Sequence, residues 1–395
     1  EVNINGTEES GNAQWRFSQS STSSNWTTPG LFEGYGIYTK ASIKSFSAAV
    51  FANLDWELLE GLHVQPGIRY NYDEKDVSYN RVARGGLDTN DPALVALKNA
   101  VYSSQFYEAA AHENNVTYQF TVSYRPNRKV NAFAVYSTSY KPVGVNVAGL
   151  PTVGGQPALD LAVIKPEYDK HYEAGLKTTP FQNFNLNFTV YNSDIKNYQT
   201  NVQAAELGVN RGYIANADKV NIKGAELDAN LRLNSSFTFF GALTYSEGKY
   251  EKFTNAPLPL EETGSSVSFK DVSGGSLPGI SKWAGSLGGE FSTPAVFLGK
   301  LQRFFVAVDG FSRSSFSSSA SPSAYLNVDG YALFNGRIGF KATEGFSAYL
   351  WARNIFDKNY HEQLLVAGGN AGHYASVLGD PRTFGVTLRY SFQSK

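Results

Sequence analysis

The strongest constraint on the fold of this chain is a strict two-residue alternation of apolar and polar side chains. In the last segment, apolar residues occupy every second position: Phe384, Val386, Leu388, Tyr390 and Phe392. The same alternation occurs at residues 46–58, 116–124, 184–190 and 225–233. Neighbouring side chains of a strand point to opposite faces, so this period predicts strands with one apolar and one polar face. Two environments produce such strands, a soluble sheet over a core and a barrel wall between lipid and a wet lumen.

The alternating segments account for most of the chain and are long. We count about fourteen, many of them longer than the five or six residues of an ordinary strand. Their approximate positions are 11–20, 43–58, 62–79, 113–126, 129–142, 166–178, 183–200, 212–233, 236–253, 282–293, 302–315, 327–341, 345–358 and 380–392. One helix is predicted within residues 91–111, in a connection, where Pro92 suits a first turn. The sequence therefore predicts an all-β fold.

The connections between these segments alternate between short and long, which favours the membrane environment. The short ones lie at residues 59–61, 126–128, 179–182, 234–235 and 342–344, with a somewhat longer one at 293–301. The long ones lie at residues 80–112, 143–165, 201–211, 254–281 and 359–379. Outer-membrane barrels have short periplasmic turns and long extracellular loops, whereas a soluble sandwich has no reason for this alternation. We therefore predict a transmembrane antiparallel β-barrel.

Strand length and composition agree with a barrel wall. A strand of about 13 residues, at ~3.3 Å per residue and a tilt of about 40°, rises roughly 33 Å, enough for the ~25 Å apolar band and its aromatic girdles. The chain has 395 residues, 14% aromatic side chains, no cysteine and a formal net charge of -1. The near-zero charge gives no reason to expect nucleic acid as a partner. No apolar run approaches the length of a membrane-spanning helix.

Signals of catalysis are weak, and the sequence predicts neither an enzyme nor a bound cofactor. No Gly-x-Ser-x-Gly elbow lies between a strand and a helix, and the Gly-Gly pairs at 274–275 and 368–369 do not extend to a phosphate-binding loop. His361 and His373 share one connection with Glu362. Because no third ligand stands at the spacing of a metal site, solvated loop histidines are the simpler interpretation, and no metal site is predicted.

Candidate ligand contacts are polar and aromatic residues near the predicted extracellular ends of the strands. They are Trp26, Tyr140, Tyr198, Arg211, His361 and His373. The alternative for the two tyrosines is a place in an aromatic girdle, and the alternative for Arg211 is a contact with lipopolysaccharide phosphate. Asp357 and Arg382 end neighbouring strands at the same rim. We interpret them as structural or assembly residues that pair there.

Several short motifs near the end of the chain occur in a fixed order. Residues 354–360 read Asn-Ile-Phe-Asp-Lys-Asn-Tyr, residues 379–384 read Gly-Asp-Pro-Arg-Thr-Phe, and residues 389–392 read Arg-Tyr-Ser-Phe. These resemble the Asn-Leu-Phe-Asp-Lys-x-Tyr, Gly-x-Pro-Arg-Thr and aromatic C-terminal motifs of the TonB-dependent outer-membrane receptors. Further similar segments lie at 67–75, 136–142, 165–177, 223–226 and 277–283. The resemblance covers about residues 46–392.

The resemblance implies a barrel of about 22 strands that encloses an N-terminal plug domain. Residues 1–395 would then form part of the barrel and supply roughly its last fourteen strands, with the plug and the first strands outside this chain. A partial sheet would leave two edges in lipid, where each unpaired backbone group costs several kcal/mol. We therefore expect these residues to be part of a longer protein or to pair with another chain.

For function, the resemblance implies active import of a scarce ligand across the bacterial outer membrane, which the chain would cross many times. Ligands would bind the extracellular loops and the plug, and the TonB-ExbB-ExbD energising complex would pull on the plug to release them. Outer-membrane lipid and lipopolysaccharide would surround the barrel, and the barrel-assembly machinery would read the aromatic end at Tyr390 and Phe392. Ferric siderophores, cobalamin, glycans and aromatic compounds all remain open as substrates. The alternatives are a passive porin and a soluble β-rich binding or adhesin protein.

Overall fold

The structure, a computed structural model, describes most of the chain. Its backbone is described for residues 2–10, 28–147, 149–150, 152–153, 156–206, 209–262, 267, 269–341, 346–367 and 373–390. Side chains are described in these ranges except at residues 2–10, 152–153, 203–206 and 209–211. The predicted first strand, at residues 11–20, lies outside the described residues.

Within these ranges the chain forms 25 strands and one α-helix. The strands are β1 (Val2–Ser10), β2 (Gly36–Asn53), β3 (Trp56–Leu59), β4 (Leu62–Arg84), β5 (Gln105–Asn127), β6 (Val130–Lys141), β7 (Gly144–Val145), β8 (Thr152–Val153), β9 (Gln156–Pro157), β10 (Val163–Ile164), β11 (Glu167–Phe181), β12 (Phe184–Glu206), β13 (Val209–Arg232), β14 (Phe237–Lys252), β15 (Ala256–Pro257), β16 (Phe269–Lys270), β17 (Trp283–Phe297), β18 (Lys300–Arg313), β19 (Phe316–Ser317), β20 (Asn327–Val328), β21 (Tyr331–Lys341), β22 (Phe346–Arg353), β23 (His361–Val366), β24 (Tyr374–Leu378) and β25 (Thr383–Tyr390). The helix is α1 (Pro92–Val101), and 3-10 turns lie at Leu159–Leu161 and Leu260–Glu262. The predicted all-β fold is confirmed.

One 15-stranded sheet forms the wall of the molecule. Its order is β1-β2-β4-β5-β6-β11-β12-β13-β14-β17-β18-β21-β22-β25, and β3 pairs with β4 beside this path. Each wall strand pairs antiparallel with the next one along the chain, which is the up-and-down order of a membrane barrel. The remaining strands form small two-stranded sheets inside the connections: β7–β10, β8–β9, β15–β16, β19–β20 and β23–β24.

The wall has a turn end and a loop end. Short connections at residues 128–129, 182–183 and 298–299 lie at the turn end. Long connections lie at the loop end: residues 85–104, 142–166, 253–282, 314–330 and 354–382. One predicted long connection is wrong. Residues 201–211 belong to a hairpin in which β12 continues to Glu206 and β13 begins at Val209.

Other wall strands also extend further toward the loop end than predicted. β4 ends at Arg84 rather than residue 79, and β5 begins at Gln105 rather than residue 113. These strands remain hydrogen-bonded beyond the point where the apolar alternation stops. Above the apolar band a strand needs no apolar face, so the alternation ends before the strand does.

The predicted helix is confirmed but shorter than residues 91–111. α1 is capped by Asp91, whose carboxylate accepts a hydrogen bond from the second helical N–H at 2.8 Å, and it ends at Val101. The connection after it is brief, because β5 has already begun at Gln105. No helix among the described residues is both long and apolar enough to cross a membrane.

The outer face of the wall carries exposed apolar side chains at every second position. In β25 the exposed fractions are 80%, 65%, 69% and 59% at Phe384, Val386, Leu388 and Tyr390. In β17, Leu287 is 71% exposed and lies midway between Trp283 and Phe291. Soluble monomers rarely expose a continuous apolar surface of this kind, whereas the lipid-facing side of a membrane barrel consists of one.

Aromatic rings form rows toward both ends of this apolar face. On the side of the loop end, Tyr136 contacts Tyr118 and Tyr172, with ring centroids 5.9 and 4.9 Å apart. On the side of the turn end, the rings of Phe237 and Phe291 are 5.0 Å apart. The rows correspond to the two aromatic girdles of an outer-membrane barrel.

The inner face is polar. One inner pocket of about 500 Å³ between β18 and β25 is lined by alternating residues of four strands: Asp309, Asn335, Arg337, Tyr349, Trp351, Arg353 and Thr387, with small neighbours between them. Asn335 donates to Asp309 at 2.8 Å, and the guanidinium of Arg353 lies 5.4 Å from the ring centroid of Trp351. Exposed guanidinium groups on this face require water, so the wall separates an apolar exterior from a wet interior.

Asn354 fixes the rim at which the penultimate strand ends. The residue is 5% exposed and has φ 46°. Its Nδ2 donates to the carbonyl oxygens of Lys358 at 3.0 Å and Asp380 at 3.1 Å, and its Oδ1 accepts from the Lys358 N–H at 2.9 Å. One buried amide therefore connects the turn after β22 to the approach of β25.

Asp357 and Arg382 pair at this rim, as predicted. The Asp357 carboxylate accepts from the backbone N–H of Arg382 at 3.0 Å and lies 3.9 Å from its guanidinium. These contacts shorten both strands relative to the prediction: β22 ends at Arg353 and β25 begins at Thr383.

Buried apolar clusters lie at the loop end, where connections pack on the strands. One joins α1 to the segment before β2 through Phe32, Tyr35 and Val101. A second packs the 142–166 loop on β4 and β5: Tyr79, Tyr107, Leu150 and Ala162 are central to it. A third packs the 253–282 loop on β12 and β13: it includes Val202, Tyr213, Val220, Tyr250 and Leu277. The packed core of this chain therefore lies around the loop end of the wall. We call this end, with the loops that fold over it, the mouth.

Candidate functional site

The β6–β11 hairpin leaves the plane of the wall near the loop end. β5 and β6 pair only up to Gln119 and Ser137, whereas β6 and β11 remain paired up to Lys141 and Glu167. Where the two strands separate, the backbone N–H of Tyr118 in β5 donates to the Thr138 hydroxyl of β6 at 3.0 Å. This hydroxyl takes the place of the backbone carbonyl that would accept in a continuous ladder. The tip of this hairpin leans over the inner face of β4 and β5.

Two tyrosines of this tip bind two carboxylates on the inner face. Asp73 and Glu113 are register partners in β4 and β5 and are 5% and 9% exposed. The Tyr140 hydroxyl donates to Asp73, as does the Ser47 hydroxyl, and the Tyr168 hydroxyl donates to Glu113 at 2.5 Å. Charge-assisted bonds of this kind hold the hairpin tip against the wall.

The 142–166 loop continues inward from this tip and is held by two side-chain amides. Gln105 donates to the carbonyl of Leu150 at 2.7 Å and accepts from its N–H at 3.0 Å. Asn146 donates to the carbonyl of Ile214 at 3.1 Å and accepts from its N–H at 3.0 Å. Since Gln105 belongs to β5 and Ile214 to β13, the loop spans the mouth between two tall hairpins.

A second part of the mouth consists of three loops joined at Glu261. One oxygen of this carboxylate accepts from the Ala324 N–H at 2.8 Å, and the other accepts from the Tyr374 hydroxyl at 2.6 Å. Tyr374 also contacts Tyr325, with ring centroids 5.2 Å apart. Glu261, Ala324 and Tyr374 belong to the 253–282, 314–330 and 354–382 loops, and we refer to these loops together as the three-loop unit. Ser321 strengthens it by donating to the Pro257 carbonyl at 2.5 Å.

The electrostatics of this junction favour an ionised Glu261. Burial acts to raise the pKa of Glu261, but hydrogen bonds from Tyr374, Ser323 and Ala324 outweigh it, so the pKa lies below its usual value. Burial and the bond to this carboxylate raise the pKa of Tyr374 to about 12, so the tyrosine stays a donor at physiological pH.

Acidification is expected to loosen the three-loop unit. Because the pKa of Glu261 is lower in the folded protein, its contribution is present at neutral pH and disappears as the pH falls through that lowered value, below the usual range of a glutamate. Cleavage of the 314–330 loop by an acid-tolerant protease should therefore accelerate at low pH. Glu261→Gln keeps an acceptor but cannot ionise, so its cleavage rate should lack this acid-dependent step. An unchanged pH profile in the variant would contradict the assignment.

Two predicted ligand residues, Tyr140 and Tyr198, lie on the mouth side of the wall. The hydroxyl of Tyr140 is bound to Asp73. Tyr198 is half-buried against the cluster that holds the 253–282 loop. A ligand role for either residue stays a prediction, since both also serve the packing of the loops.

The two histidines of the 354–382 loop do not come together. β23 and β24 pair from His361 with Leu378 to Val366 with Tyr374, and His373 precedes this last pair. His361 and His373 thus lie at opposite ends of a small hairpin, roughly 17 Å apart. The described residues contain no group of three or more His, Cys, Asp or Glu that could hold a metal ion.

Three of the other predicted site residues have no described side chain. Trp26 and Phe392 lie outside the described residues, and of Arg211 only the backbone is described, opposite Ala204 in the β12–β13 hairpin. Tyr390 is 59% exposed at the end of β25, on the lipid-facing side.

Sequence reasoning missed the residues that shape the mouth. Glu113, Asn146 and Glu261 are ordinary polar residues of strands or loops, and no motif or spacing identifies them; Asp73 lies in the family-like segment 67–75, but nothing in that segment marks its role. Most of their contacts are with residues more than 50 positions away along the chain, such as Glu113 with Tyr168 and Glu261 with Tyr374.

These features together define a large transmembrane β-barrel wall whose mouth is narrowed by folded loops. The chain belongs to the TonB-dependent receptor family: the family described as "TonB dependent receptor-like, beta-barrel" matches residues 3–355. Its members are outer-membrane proteins. The predicted family resemblance and barrel fold are confirmed. The alternative of a soluble β-rich binding or adhesin protein is therefore rejected.

Known proteins similar to this chain include receptors for iron chelates. The ferric-pyoverdine M114 receptor of Pseudomonas sp. (strain M114) is 24% identical over 273 residues, which cover 67% of this chain and 28% of that protein. The ferric yersiniabactin uptake receptor FyuA of Yersinia pestis is similar in structure, with a TM-score of 0.67 at 16% identity, over 91% of this chain and 47% of that chain. For the siderophore receptor PiuA of Acinetobacter baumannii the TM-score is 0.62 at 17% identity, over 90% and 44%. The chain spans less than half the length of each of these proteins.

Proposed function

We propose that this chain forms the greater part of the barrel wall of an active transporter that imports a scarce metal chelate, with ferric siderophores as the first class to test. The observation that carries the proposal is the mouth: the 142–166 loop and the three-loop unit fold over one end of a lipid-facing wall. An open diffusion pore needs no such built entrance. The receptors similar in sequence and structure are named for ferric siderophores, which supports this substrate class.

The residues of the mouth suit capture of a large polar ligand with aromatic groups. Tyr325 is 60% exposed beside Tyr374. Tyrosine rings stack on flat ligands, and tyrosine hydroxyl groups form hydrogen bonds with oxygen-rich ligands. On the opposite side, Tyr140 and Tyr168 present rings above the Asp73–Glu113 pair. Trp26, Tyr198, Arg211, His361 and His373 remain proposed contacts on the same side of the membrane.

The wall is proposed to be completed by further strands and to enclose a plug. Among the described residues, β1 pairs only with β2 and β25 pairs only with β22. Open edges in lipid are unfavourable, so additional strands between β25 and β1 would remove the cost of their unpaired groups. The limited coverage of the similar receptors supports the same arrangement.

The proposed surroundings follow from this arrangement. The chain would cross the bacterial outer membrane many times, with the loop end outside and lipopolysaccharide around it. The TonB-ExbB-ExbD complex would supply energy through the plug, and the barrel-assembly machinery would read the end at Tyr390 and Phe392. We propose no catalytic step and no resident cofactor for this wall.

Growth under iron limitation tests the substrate class. The full-length protein is expressed in cells that lack their own receptors and are starved of iron, and single ferric siderophores are supplied, beginning with pyoverdine and yersiniabactin. Growth restored by at least one siderophore is expected. The double variant Tyr325→Ala, Tyr374→Ala is compared with the wild type at equal amounts of surface protein. The variant should need a higher siderophore concentration to reach the same growth. Failure with a broad siderophore panel, combined with growth on free iron, would contradict the proposal.

A further inference from the structure

The upper part of β5 has a neighbouring strand on one side only. β4 pairs with β5 without a register shift from Leu62–Tyr124 to Arg81–Gln105. On the other side, β6 pairs with β5 only from Gln119 toward the turn end, and no other described strand replaces it. The backbone of Tyr118 is bound by the Thr138 hydroxyl, so the free backbone edge comprises residues 105–117 and is roughly 43 Å long at ~3.3 Å per residue.

The space beside this edge is two strands wide. β6 ends at Lys141 and β11 begins at Glu167, while β5 on one side and β12 on the other continue toward the loop end. With neighbouring strands ~4.8 Å apart, the gap between β5 and β12 is about 14 Å. The 142–166 loop contacts this part of β5 through side chains on the inner face, Gln105 and Tyr107, which bond to Leu150 and Asn146.

The edge of β5 lacks three of the features that usually protect exposed strands: proline, lysine and a bulge. Segment 105–117 contains no proline and no lysine, and its pairing with β4 has no bulge. The facing edge of β12 is different, because Asn197 has φ 52° and the Gln199 N–H is bound by the Glu167 carboxylate at 2.7 Å. Long, regular and unprotected edges are templates for the addition of another strand.

An acidic concavity lies on the outer face directly beside this edge. It measures about 520 Å³ and is lined by Ser42, Lys44, Asp76, Val77, Ser78, Glu108, Ala109 and Ala110. Asp76 and Glu108 are exposed, and neither has an ion pair within 4 Å among the described residues. Lys44 is the one cation of the lining, so two carboxylates face a single positive charge.

We propose that this edge and the acidic concavity together form a docking site for an extended, basic segment of a partner polypeptide. The segment would add to β5 as a strand along residues 105–117, and a Lys or Arg on its outer face would reach Asp76 and Glu108. Backbone hydrogen bonds would supply affinity, and the carboxylates would select the basic residue.

The position of the edge indicates a partner outside the cell. The aromatic row that contains Tyr118 lies at the lower limit of the free edge, so the edge stands on the loop side of the apolar band. This orientation rests on the proposed function, in which the loop end faces outward. A bare backbone edge is tolerated there because water can satisfy its groups until the partner binds.

Binding of a designed peptide to the full-length protein in lipid nanodiscs tests the site. The probe is an extended peptide of about ten residues in which Lys alternates with Thr and Val. We expect saturable binding by fluorescence anisotropy, together with slowed amide exchange confined to residues 105–117. A peptide with alternate backbone nitrogens methylated cannot form the ladder and should not bind. Binding that survives this methylation would overturn the strand-addition mode.

Charge reversal separates the acidic concavity from general attraction. The double variant Asp76→Lys, Glu108→Lys should weaken binding of the basic peptide about tenfold or more, and a peptide with Glu in place of Lys should bind this variant better than it binds the wild type. Glu60→Lys, an exposed turn-end control, should change nothing. Unchanged affinity in the double variant, or protection of amides elsewhere, would refute the site. Siderophore-dependent growth is measured separately, so its failure would not affect this result.

Discussion

Leu287→Arg is expected to destabilise the folded barrel by about 2–4 kcal/mol, because the charge would face the centre of the lipid layer. Leu287 is 71% exposed on the outer face and lies four residues from Trp283 and four from Phe291, the aromatic limits of β17. A guanidinium at this depth must lose its water or thin the bilayer around it. Urea unfolding of the full-length protein in lipid vesicles measures the loss.

The neighbouring residue provides a matched control for this prediction. Ser286 lies on the opposite face of the same strand, toward the wet interior. Ser286→Arg adds the same side chain one position away and should change the free energy of unfolding by much less. Equal destabilisation by both variants would mean that the two faces of the wall do not differ in their surroundings.

Asn354→Gly is expected to cost about 1–3 kcal/mol of stability, since it removes a buried amide that makes three hydrogen bonds to backbone groups. Glycine accepts the φ of 46° at this position without strain, so this substitution isolates the lost side-chain bonds. Asn354→Ala should be worse by a further ~1 kcal/mol, because alanine also pays for the left-handed backbone.

The same urea titration applies to the rim variants, with the fraction of heat-resistant barrel on gels as a second readout. Asp357→Gly tolerates the φ of 53° at this position and removes the partly exposed partner of Arg382, so it serves as the control, with an expected loss well below that of Asn354→Gly. A glycine variant as stable as the wild type would show that the buried amide does not hold the rim.

Much of the wall was predictable because its environment imposes a pattern on every strand. Phe384 to Tyr390 and Phe46 to Leu58 alternate since one face meets lipid and the other meets water, and this requirement is local to each strand. The prediction weakens above the apolar band. There the hairpin of β12 and β13 continues to Glu206 and Val209, but the sequence of residues 201–211 lacks the apolar alternation, so periodicity cannot detect it.

The mouth was much less predictable, because its contacts join distant parts of the chain. The motif at residues 354–360 did identify the rim, since Asn354 and Asp357 act within a few residues of the strand end. Tyr140 is predicted as a ligand contact, and this stays a prediction; no sequence pattern indicates that its hydroxyl reaches Asp73, 67 positions earlier. The separation of His361 from His373 likewise depends on the pairing of β23 with β24, which the sequence pattern did not reveal.

The central claim is that this wall belongs to an energised importer rather than to a pore. The most direct test compares surface binding and internal accumulation of a radiolabelled ferric siderophore in cells that carry the full-length protein. Dissipation of the proton gradient is predicted to leave surface binding intact and to reduce accumulation to the level of cells without the protein. Accumulation that continues unchanged after the gradient collapses would contradict the account and would support a passive channel.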